Sequence, residues 1–344
     1  MRFARVPLLV LAAAALATGA AHAQDKPVNL KLSYWVPPSH LLTPGYKEWA
    51  ESVKTASNGT ITVTLYPSSQ LGSGADHYDM VKRGVADFAL INPGYTPGRF
   101  PIIGVADLPF MLNNSYKAAP AVVRFYKTYA EKEMPELIVC HTLSHEPGTF
   151  ISKKLIKVPA DVKGLNVRTA NQTIATLVTS MGGNSVQVPI MEAYETLKRG
   201  LTDAITGTWD SLTHPAFKFA SVTEYTLDTK IYWSTLIHGI SRKTYDGMSA
   251  AQKKVIDDHC TPEWSARIYK YWYDDQVKRE DEIRKAGDKI TKITKVGPEE
   301  LALWRKAAEP TVNAWKESVK KIGANPDQII EELKAELKKQ DALF

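Results

Sequence analysis

Cysteine is scarce in this chain, with two residues, Cys140 and Cys260, among 344. Two cysteines so far apart in sequence lack the close spacing of a zinc site, so we expect no bound metal. In an oxidising compartment the two could pair as a disulfide, although the sequence also allows two separate buried thiols.

The motifs of common enzyme classes and a concentrated basic surface are also missing. There is no G-x-S-x-G, no H-E-x-x-H and no phosphate-binding glycine loop, since LGSG is followed by Ala75. The formal net charge is +6, but the signs are mixed and no basic stripe is interleaved with aromatics. We therefore expect no catalysis, no cofactor and no nucleic-acid partner, while the mild positive charge favours anionic solutes.

Long apolar runs are absent except at the amino terminus. There Arg2 and Arg5 precede LLVLAAAALA, and Ala21-His22-Ala23 provides a small-x-small cleavage site. This pattern predicts a signal peptide over residues 1–23, cleaved after Ala23, and a mature chain in the periplasm. The alternative is an uncleaved membrane anchor, but the run is short for crossing a bilayer.

What the sequence does contain is an alternation of strand and helix patterns. Residues 158–209 predict strand–helix–strand–helix–strand, with Asn171 capping the first helix and Pro189 opening the second. Residues 28–91 predict a second such unit, and later helices are expected over 249–286, 299–319 and 326–339. The chain is thus predicted to be α/β, with two domains of ordinary size. Arg168 ends a predicted strand, where ligands bind in open α/β sheets.

The segment ADVKGLNVR, followed by VPIMEAYETLKRGLTDA, resembles the solute-binding proteins of tripartite ATP-independent periplasmic (TRAP) transporters. The same similarity continues in family order through YWVPPSH, YPSSQLG, VKRGVADFALINPGY, ADLPF and MSAAQKKVIDDH. It implies a two-domain periplasmic binding protein fold with a hinge, crossing strands and a long helix spanning both domains. We expect domain I to comprise 24–146 plus 240–285 and domain II 147–239 plus 286–344, with the ligand cleft between them.

The resemblance also implies a function. Such a receptor captures a small organic acid by hinge closure and delivers it to a membrane permease of two integral subunits. We expect a monomer, and a periplasmic ligand sensor is the alternative use of the same fold. In this family the arginine after KGL-x-x holds the ligand carboxylate, which points to Arg168; its planar guanidinium suits bidentate binding. A structural salt bridge is the other interpretation of this arginine.

One departure from the family pattern bears on the ligand. Many members carry a second arginine at the position of Gly148, and here it is missing. A single arginine favours a monocarboxylate with an aromatic, hydroxy or sugar body, and Gly148 is expected to leave volume for a bulkier ligand. A C4-dicarboxylate is the alternative.

The other candidate ligand-binding residues stand at expected strand ends and loops. Aromatic faces can stack on planar ligands, although each ring could instead pack in a core. The polar candidates could equally serve as turn or cap residues. These candidates are Trp35, Tyr95, Trp209 and Trp233 among the aromatics, and His40, Asn92, His145, Glu146 and Asn171 among the polar residues.

Overall fold

The structure, a computed structural model, describes residues 25–344. The predicted signal peptide and its cleavage after Ala23 lie outside these residues. Within the described part, no helix is both long and apolar enough to cross a membrane.

Eleven strands of the described chain form two separate sheets. One has five strands in the order β2-β1-β3-β10-β4, and the other has six in the order β11-β9-β5-β8-β6-β7. We call the body around the five-stranded sheet the first lobe and the other the second lobe. The strands are β1 (Val28–Ser33), β2 (Ile61–Tyr66), β3 (Phe88–Ile91), β4 (Leu137–Ser144), β5 (Thr149–Ser152), β6 (Asn166–Thr169), β7 (Asn184–Gln187), β8 (Ala204–Gly207), β9 (Tyr225–Asp228), β10 (Thr235–Ser241) and β11 (Lys292–Lys295).

Helices accompany both sheets. They are α1 (Leu42–Ala56), α2 (His77–Lys82), α3 (Ser115–Lys127), α4 (Ala130–Glu133), α5 (Gln172–Ser180), α6 (Ile190–Lys198), α7 (Arg242–Asp246), α8 (Ala250–His259), α9 (Pro262–Ala286), α10 (Pro298–Lys321) and α11 (Pro326–Lys339). The predicted α/β class and two-domain architecture are confirmed.

Local sequence chemistry explains several helix ends. The Asn171 side chain accepts a hydrogen bond from the N–H of Ile174 at 2.9 Å, so the predicted cap of α5 is confirmed. Pro189 precedes α6 as its cap instead of opening it. The single helix predicted over 249–286 is two helices, because Thr261 caps a new helix whose first residue is Pro262.

Within residues 25–344 the chain crosses between the lobes four times. It crosses after β4 and again after β9, and the strands that receive these crossings, β5 and β10, run antiparallel to their neighbours. Helix α9 packs on α1 and α3 of the first lobe and on the turn Trp209–Leu212 of the second. Helix α10 begins beside α5 and carries the chain back, so that α11 packs on α3.

The last crossing corrects the expected domain II segment 286–344. Trp315 and Val319 of α10, and Ile329, Leu333 and Leu337 of α11, are buried in the hydrophobic core of the first lobe. Helix α11 thereby covers α3, and the carboxyl-terminal residues complete the first lobe. Only the beginning of this segment, through β11 and the start of α10, belongs to the second lobe.

A disulfide joins Cys140 to Cys260. Cys140 lies within β4, which runs on to Ser144, and Cys260 follows α8. His141 is close to both sulfur atoms, but these are committed to the bond between them. The structure therefore has a disulfide between Cys140 and Cys260 and not two separate thiols.

Candidate ligand-binding site

A small cavity lies between the lobes, with a volume of about 70 Å³. That space is below the roughly 300–1,000 Å³ of most small-molecule pockets. Its walls are mostly apolar and aromatic. They are formed by Trp35, Val36, His40, Leu42, Leu90, Asn92, Tyr95, His145, Arg168, Ala170, Ile190, Gly207, Thr208, Ser211, Phe217, Tyr232, Ser234, Leu236 and Trp272.

Arg168 is the one side chain of this wall that carries a permanent charge. It lies on β6 and is 1% exposed. Its Nε donates to the carbonyl of Val188 at 2.9 Å and one terminal nitrogen to the carbonyl of Thr206 at 3.2 Å. Across residues 25–344 no carboxylate pairs with it, which rules out the structural salt bridge within that range. A buried cation that lacks a counter-ion is costly, so this arrangement is suited to binding an anion.

His145 lies near Arg168 at the crossing from β4 to β5. Its Nδ1 donates to the carbonyl of Glu146 at 2.6 Å, and burial lowers its pKa to about 4. The imidazole is therefore neutral at neutral pH and adds no second positive charge to the cavity.

The position of the missing second arginine is occupied by a neighbouring ring. A Cβ placed on Gly148 would lie 2.2 Å from Cε1 of Tyr232, so the ring packs directly on the glycine. Tyr232 lines the cavity, and its ring centroid is 5.3 Å from that of His145. The expectation that Gly148 leaves volume for the ligand is wrong, because Tyr232 fills that volume.

Two aromatic residues of the first lobe face the cavity together. The ring centroids of Trp35 and Tyr95 are 5.6 Å apart. The Tyr95 hydroxyl accepts from the N–H of Ile190 in the second lobe at 3.1 Å, so it also links the lobes. Asn92, beside them, accepts from the N–H of Gly94 and donates to the Ser234 hydroxyl at 3.4 Å.

A second aromatic group surrounds His40. Its ring centroid is 5.0 Å from that of Trp272 and 5.4 Å from that of His214. Burial lowers the pKa of His40 to about 3, with a further contribution from His214, so His40 is neutral.

Four predicted candidates lie outside the cavity wall. The carboxylate of Glu146 accepts from the hydroxyl and N–H of Ser115, and its backbone N–H donates to Gln276 at 3.2 Å. Trp209 is buried beneath the guanidinium of Arg284, which lies 4.1 Å from the ring centroid. Both are therefore structural contacts in this conformation.

The other two, Asn171 and Trp233, take part in a contact between the lobes. Besides capping α5, the Asn171 amide donates to Asp107 at 3.1 Å and to the carbonyl of Trp233 at 3.2 Å. The ring of Trp233 is fully buried in the first-lobe core. Neither side chain faces the cavity.

Sequence reasoning missed several cavity residues. Of the neighbouring aromatics Tyr232 and Trp233 between two predicted strands, Trp233 is the predicted ligand contact, whereas Tyr232 lines the cavity. Trp272 lies in a helix whose apolar pattern predicts only core packing, and Phe217 follows a short turn without a sequence signature. For Tyr232 and Trp272 the available signal was an aromatic residue near a lobe crossing.

These features define a two-lobed protein with an apolar cavity between its lobes and, in the cavity wall, one buried cation, Arg168, that has no carboxylate partner among residues 25–344. The sequence matches the family described as "Bacterial extracellular solute-binding protein, family 7" (DctP) over residues 32–321, and the chain belongs to that family. It is a family of transport receptors.

Two solved structures resemble this chain over nearly its whole length. One is a TRAP solute-binding protein from Rhodoferax ferrireducens T118 in complex with copurified benzoate. It is 26% identical in sequence, the match covers 91% of this chain and 98% of that one, and the TM-score is 0.83. The other is a marine metagenome TRAP solute-binding protein specific for aromatic acid ligands, in complex with 3-hydroxybenzoate. It is 27% identical in sequence, the match covers 92% of this chain and 99% of that one, and the TM-score is 0.83.

A curated relative is matched over a shorter region. It is a solute-binding protein of Chromohalobacter salexigens, 26% identical over 181 residues, which is 51% of this chain and 53% of the relative. The chain thus spans about half the length of this relative.

Proposed function

We propose that this protein is the extracytoplasmic receptor of a TRAP transporter and captures a small monocarboxylic acid with an aromatic body. The observation that carries the proposal is Arg168, a buried cation with no carboxylate partner among residues 25–344, in the wall of an apolar cavity. A ligand carboxylate would supply the missing counter-ion, and charge-assisted hydrogen bonds to it contribute about 1.5–3 kcal/mol each.

The rest of the cavity favours one carboxylate over two. Tyr232 lies where the second arginine of many relatives would be, and both His40 and His145 are neutral at neutral pH. A second carboxylate would be buried without compensation, at a cost of several kcal/mol. This argues against the C4-dicarboxylate alternative.

The shape and polarity of the cavity favour an aromatic body over a sugar. Its volume of about 70 Å³ is small, and Trp35, Tyr95, Phe217 and Tyr232 contribute rings to the wall. A sugar acid needs many hydrogen-bond partners, whereas a planar ring is satisfied by stacking and edge contacts. The benzoate and 3-hydroxybenzoate complexes of the two similar proteins support the same class.

Capture would proceed by closure of the two lobes on the ligand. Arg168 belongs to the second lobe and Trp35 and Tyr95 to the first, so a bound acid contacts both only in the closed form. A ligand that contacts both lobes binds the closed form more tightly and shifts the population toward it.

The remaining parts of the proposal follow from family membership. The mature protein, cleaved after Ala23, would act in the periplasm as a monomer and dock on a permease of two integral subunits. Presentation of the ligand to a membrane sensor remains the second candidate, because the same lobes and cavity would serve it.

Calorimetric titration of the mature protein with benzoate, and with succinate as a dicarboxylate control, tests the proposal. We expect benzoate to bind and succinate to bind much more weakly. Arg168→Ala should weaken benzoate binding by about ten- to a hundredfold, from the loss of charge-assisted hydrogen bonds. Arg267→Ala, which removes an exposed arginine of α9, is the matched control and should leave affinity unchanged.

Two results would contradict the proposed function. If Arg168→Ala remains folded by thermal unfolding and binds benzoate as well as the unmodified protein does, Arg168 is not the carboxylate partner. If succinate binds as tightly as benzoate, the preference for one carboxylate is wrong.

A further inference from the structure

His40 presents an unused hydrogen-bond donor at the cavity wall. Its Nδ1 accepts from the backbone N–H of Leu42 at 3.2 Å, so Nδ1 carries no proton in the neutral ring. The proton is then on Nε2, for which no hydrogen-bond partner exists among residues 25–344. The ring is 1% exposed and lines the cavity. The Leu42 N–H therefore fixes the tautomer of His40, and the Nε2–H of His40 is left for an acceptor outside these residues.

Trp272 provides a second such donor beside it. The ring is 8% exposed, lines the cavity and lies 5.0 Å from the His40 ring, centroid to centroid. Its indole N–H is buried and without a partner in the described part of the chain. Leaving a buried N–H unpaired costs about 1–3 kcal/mol, so such donors are normally satisfied by water or ligand.

The two donors belong to the lobe opposite Arg168. His40 follows β1, and the ring of Trp272 packs in the core that contains Leu32, Trp49 and Tyr269 of the first lobe. Arg168 lies on β6 of the second lobe. Arg168, His40 and Trp272 line the same cavity, so a ligand bound by Arg168 through its carboxylate could also contact these two rings of the opposite lobe.

We propose that the N–H groups of His40 and Trp272 form a second recognition point that accepts an uncharged oxygen, a hydroxyl or carbonyl, at the end of the ligand remote from its carboxylate. The ligand class narrows accordingly to aromatic monocarboxylates that carry an oxygen substituent. This inference rests on the proposed function, since it takes Arg168 as the carboxylate partner.

The donors are suited to a neutral oxygen and not to a second anion. Burial keeps His40 uncharged, and its nearest titratable neighbour, His214, has a pKa lowered chiefly by its own burial. An ionised Asp210, whose charge acts on His214, would repel an added negative charge. Two neutral donors can pair with a hydroxyl or carbonyl but cannot compensate a second buried carboxylate.

A set of acids on the same ring separates the two recognition points. Benzoate, 3- and 4-hydroxybenzoate, and benzene-1,3- and 1,4-dicarboxylate would be titrated into the unmodified mature protein by calorimetry. The readout is the ratio of the better hydroxybenzoate's affinity to that of benzoate. We expect a hydroxybenzoate to bind about three- to tenfold more tightly than benzoate, as one neutral hydrogen bond provides, and both dicarboxylates to bind more weakly than benzoate.

Three variants then assign the donors. Trp272→Phe keeps a ring but removes the N–H. His40→Asn keeps an acceptor for the Leu42 N–H and removes the Nε2 donor. Trp264→Phe, on the same helix but outside the cavity wall, is the matched control. We expect the first two to bring the affinity ratio toward one, with benzoate still bound, and Trp264→Phe to preserve the ratio.

The outcomes separate the two proposals. If benzoate binds but the ratio is unchanged in both Trp272→Phe and His40→Asn, the second recognition point is wrong while the proposed function stands. If a dicarboxylate binds more tightly than benzoate, the inference that the second recognition point accepts an uncharged oxygen is wrong. If no acid binds the unmodified protein, the proposed function fails and the second recognition point fails with it.

Discussion

The contact between Gly148 and Tyr232 shapes the cavity at the scale of single atoms. The glycine Cα packs under the ring, and the backbones of the two residues also pair. Any side chain at 148 must displace the ring that stands in place of the second arginine. Gly148 and Tyr232 therefore act as one unit.

We expect Gly148→Ala to lower the free energy of unfolding by about 1–3 kcal/mol, the usual cost of overpacking. Chemical denaturation of the unliganded protein measures this. In a Tyr232→Leu background, where the clashing ring atoms Cε1 and Cζ are gone, the same change should cost much less. Equal costs in the two backgrounds would show that the contact does not determine the effect.

Residue-scale predictions from sequence succeeded where the cause is local. The Asn171 cap follows from one side chain and the next three backbone positions. The place of Arg168 in the cavity wall agrees with the family motif, while its role as carboxylate partner stays a prediction. The placement of Trp233 and Tyr232 depends on which face of the crossing segment turns inward, and neighbouring letters do not specify this. Glu146 pairs with Ser115, 31 positions earlier, a contact that no local pattern encodes.

At the scale of elements, the close approach of α1 and α9 holds α9, which packs on both lobes, in place. A Cβ on Gly45 of α1 would lie 2.3 Å from the carbonyl oxygen of Ile268 in α9. The two backbones touch there because glycine has no side chain. This contact positions α9, and with it the ring of Trp272 at the cavity.

Gly45→Ala is expected to destabilise the protein by about 1–3 kcal/mol, although alanine is normally the better helix former by roughly 1 kcal/mol. The backbone carbonyl cannot rotate away as a side chain could, so the helices must separate. Thermal unfolding would detect the change. Gly104→Ala is the control, because its Cβ would meet Trp315 at an ordinary 3.5 Å; similar losses in both variants would argue against a specific α1–α9 contact.

Element positions were largely predictable, since α11 and several strands begin and end close to the expected residues. The sequence predicts one helix across α8 and α9, because the apolar pattern continues through Cys260, whereas Thr261 caps a new helix that begins at Pro262. Element pairing was less accessible still: α11 has an ordinary amphipathic pattern, and nothing in it specifies which lobe it covers.

At the scale of the whole molecule, Asp107 ties the lobes together. One carboxylate oxygen accepts from the N–H of Thr235 at 2.7 Å and the other from the Asn171 amide at 3.1 Å. Burial raises the Asp107 pKa from 3.8 to about 7, against the lowering effect of its hydrogen bonds to Thr235. The folded state thus holds this proton more tightly than the unfolded chain does.

The raised pKa of Asp107 makes the stability of the protein depend on pH. Between pH 3.8 and about 7 the folded state binds more protons at Asp107 than the unfolded state, so this group's contribution to stability falls as the pH rises. The slope is at most about 1.4 kcal/mol per pH unit. Other buried carboxyl and imidazole groups also titrate, so a comparison with Asp107→Asn is needed to isolate this one.

Asp107→Asn should be less stable than the unmodified protein at pH 4–5, because an amide donor then faces either Thr235 or Asn171. The deficit should shrink as the pH approaches 8, where the ionised Asp107 loses its advantage. Urea unfolding of both proteins across this range measures the difference. Parallel stability curves would show that Asp107 does not titrate as described.

The path of the chain through the lobes bears on the order in which they can be completed. The first lobe takes its first strand from Val28–Ser33 and its last core helix from Pro326–Lys339. The second lobe takes all its sheet strands from residues 149–295. As the chain emerges from the ribosome, the strand β1 of the first lobe appears before any strand of the second lobe. The first lobe nevertheless has all its core residues only after α11 has emerged, when the strands of the second lobe are already available.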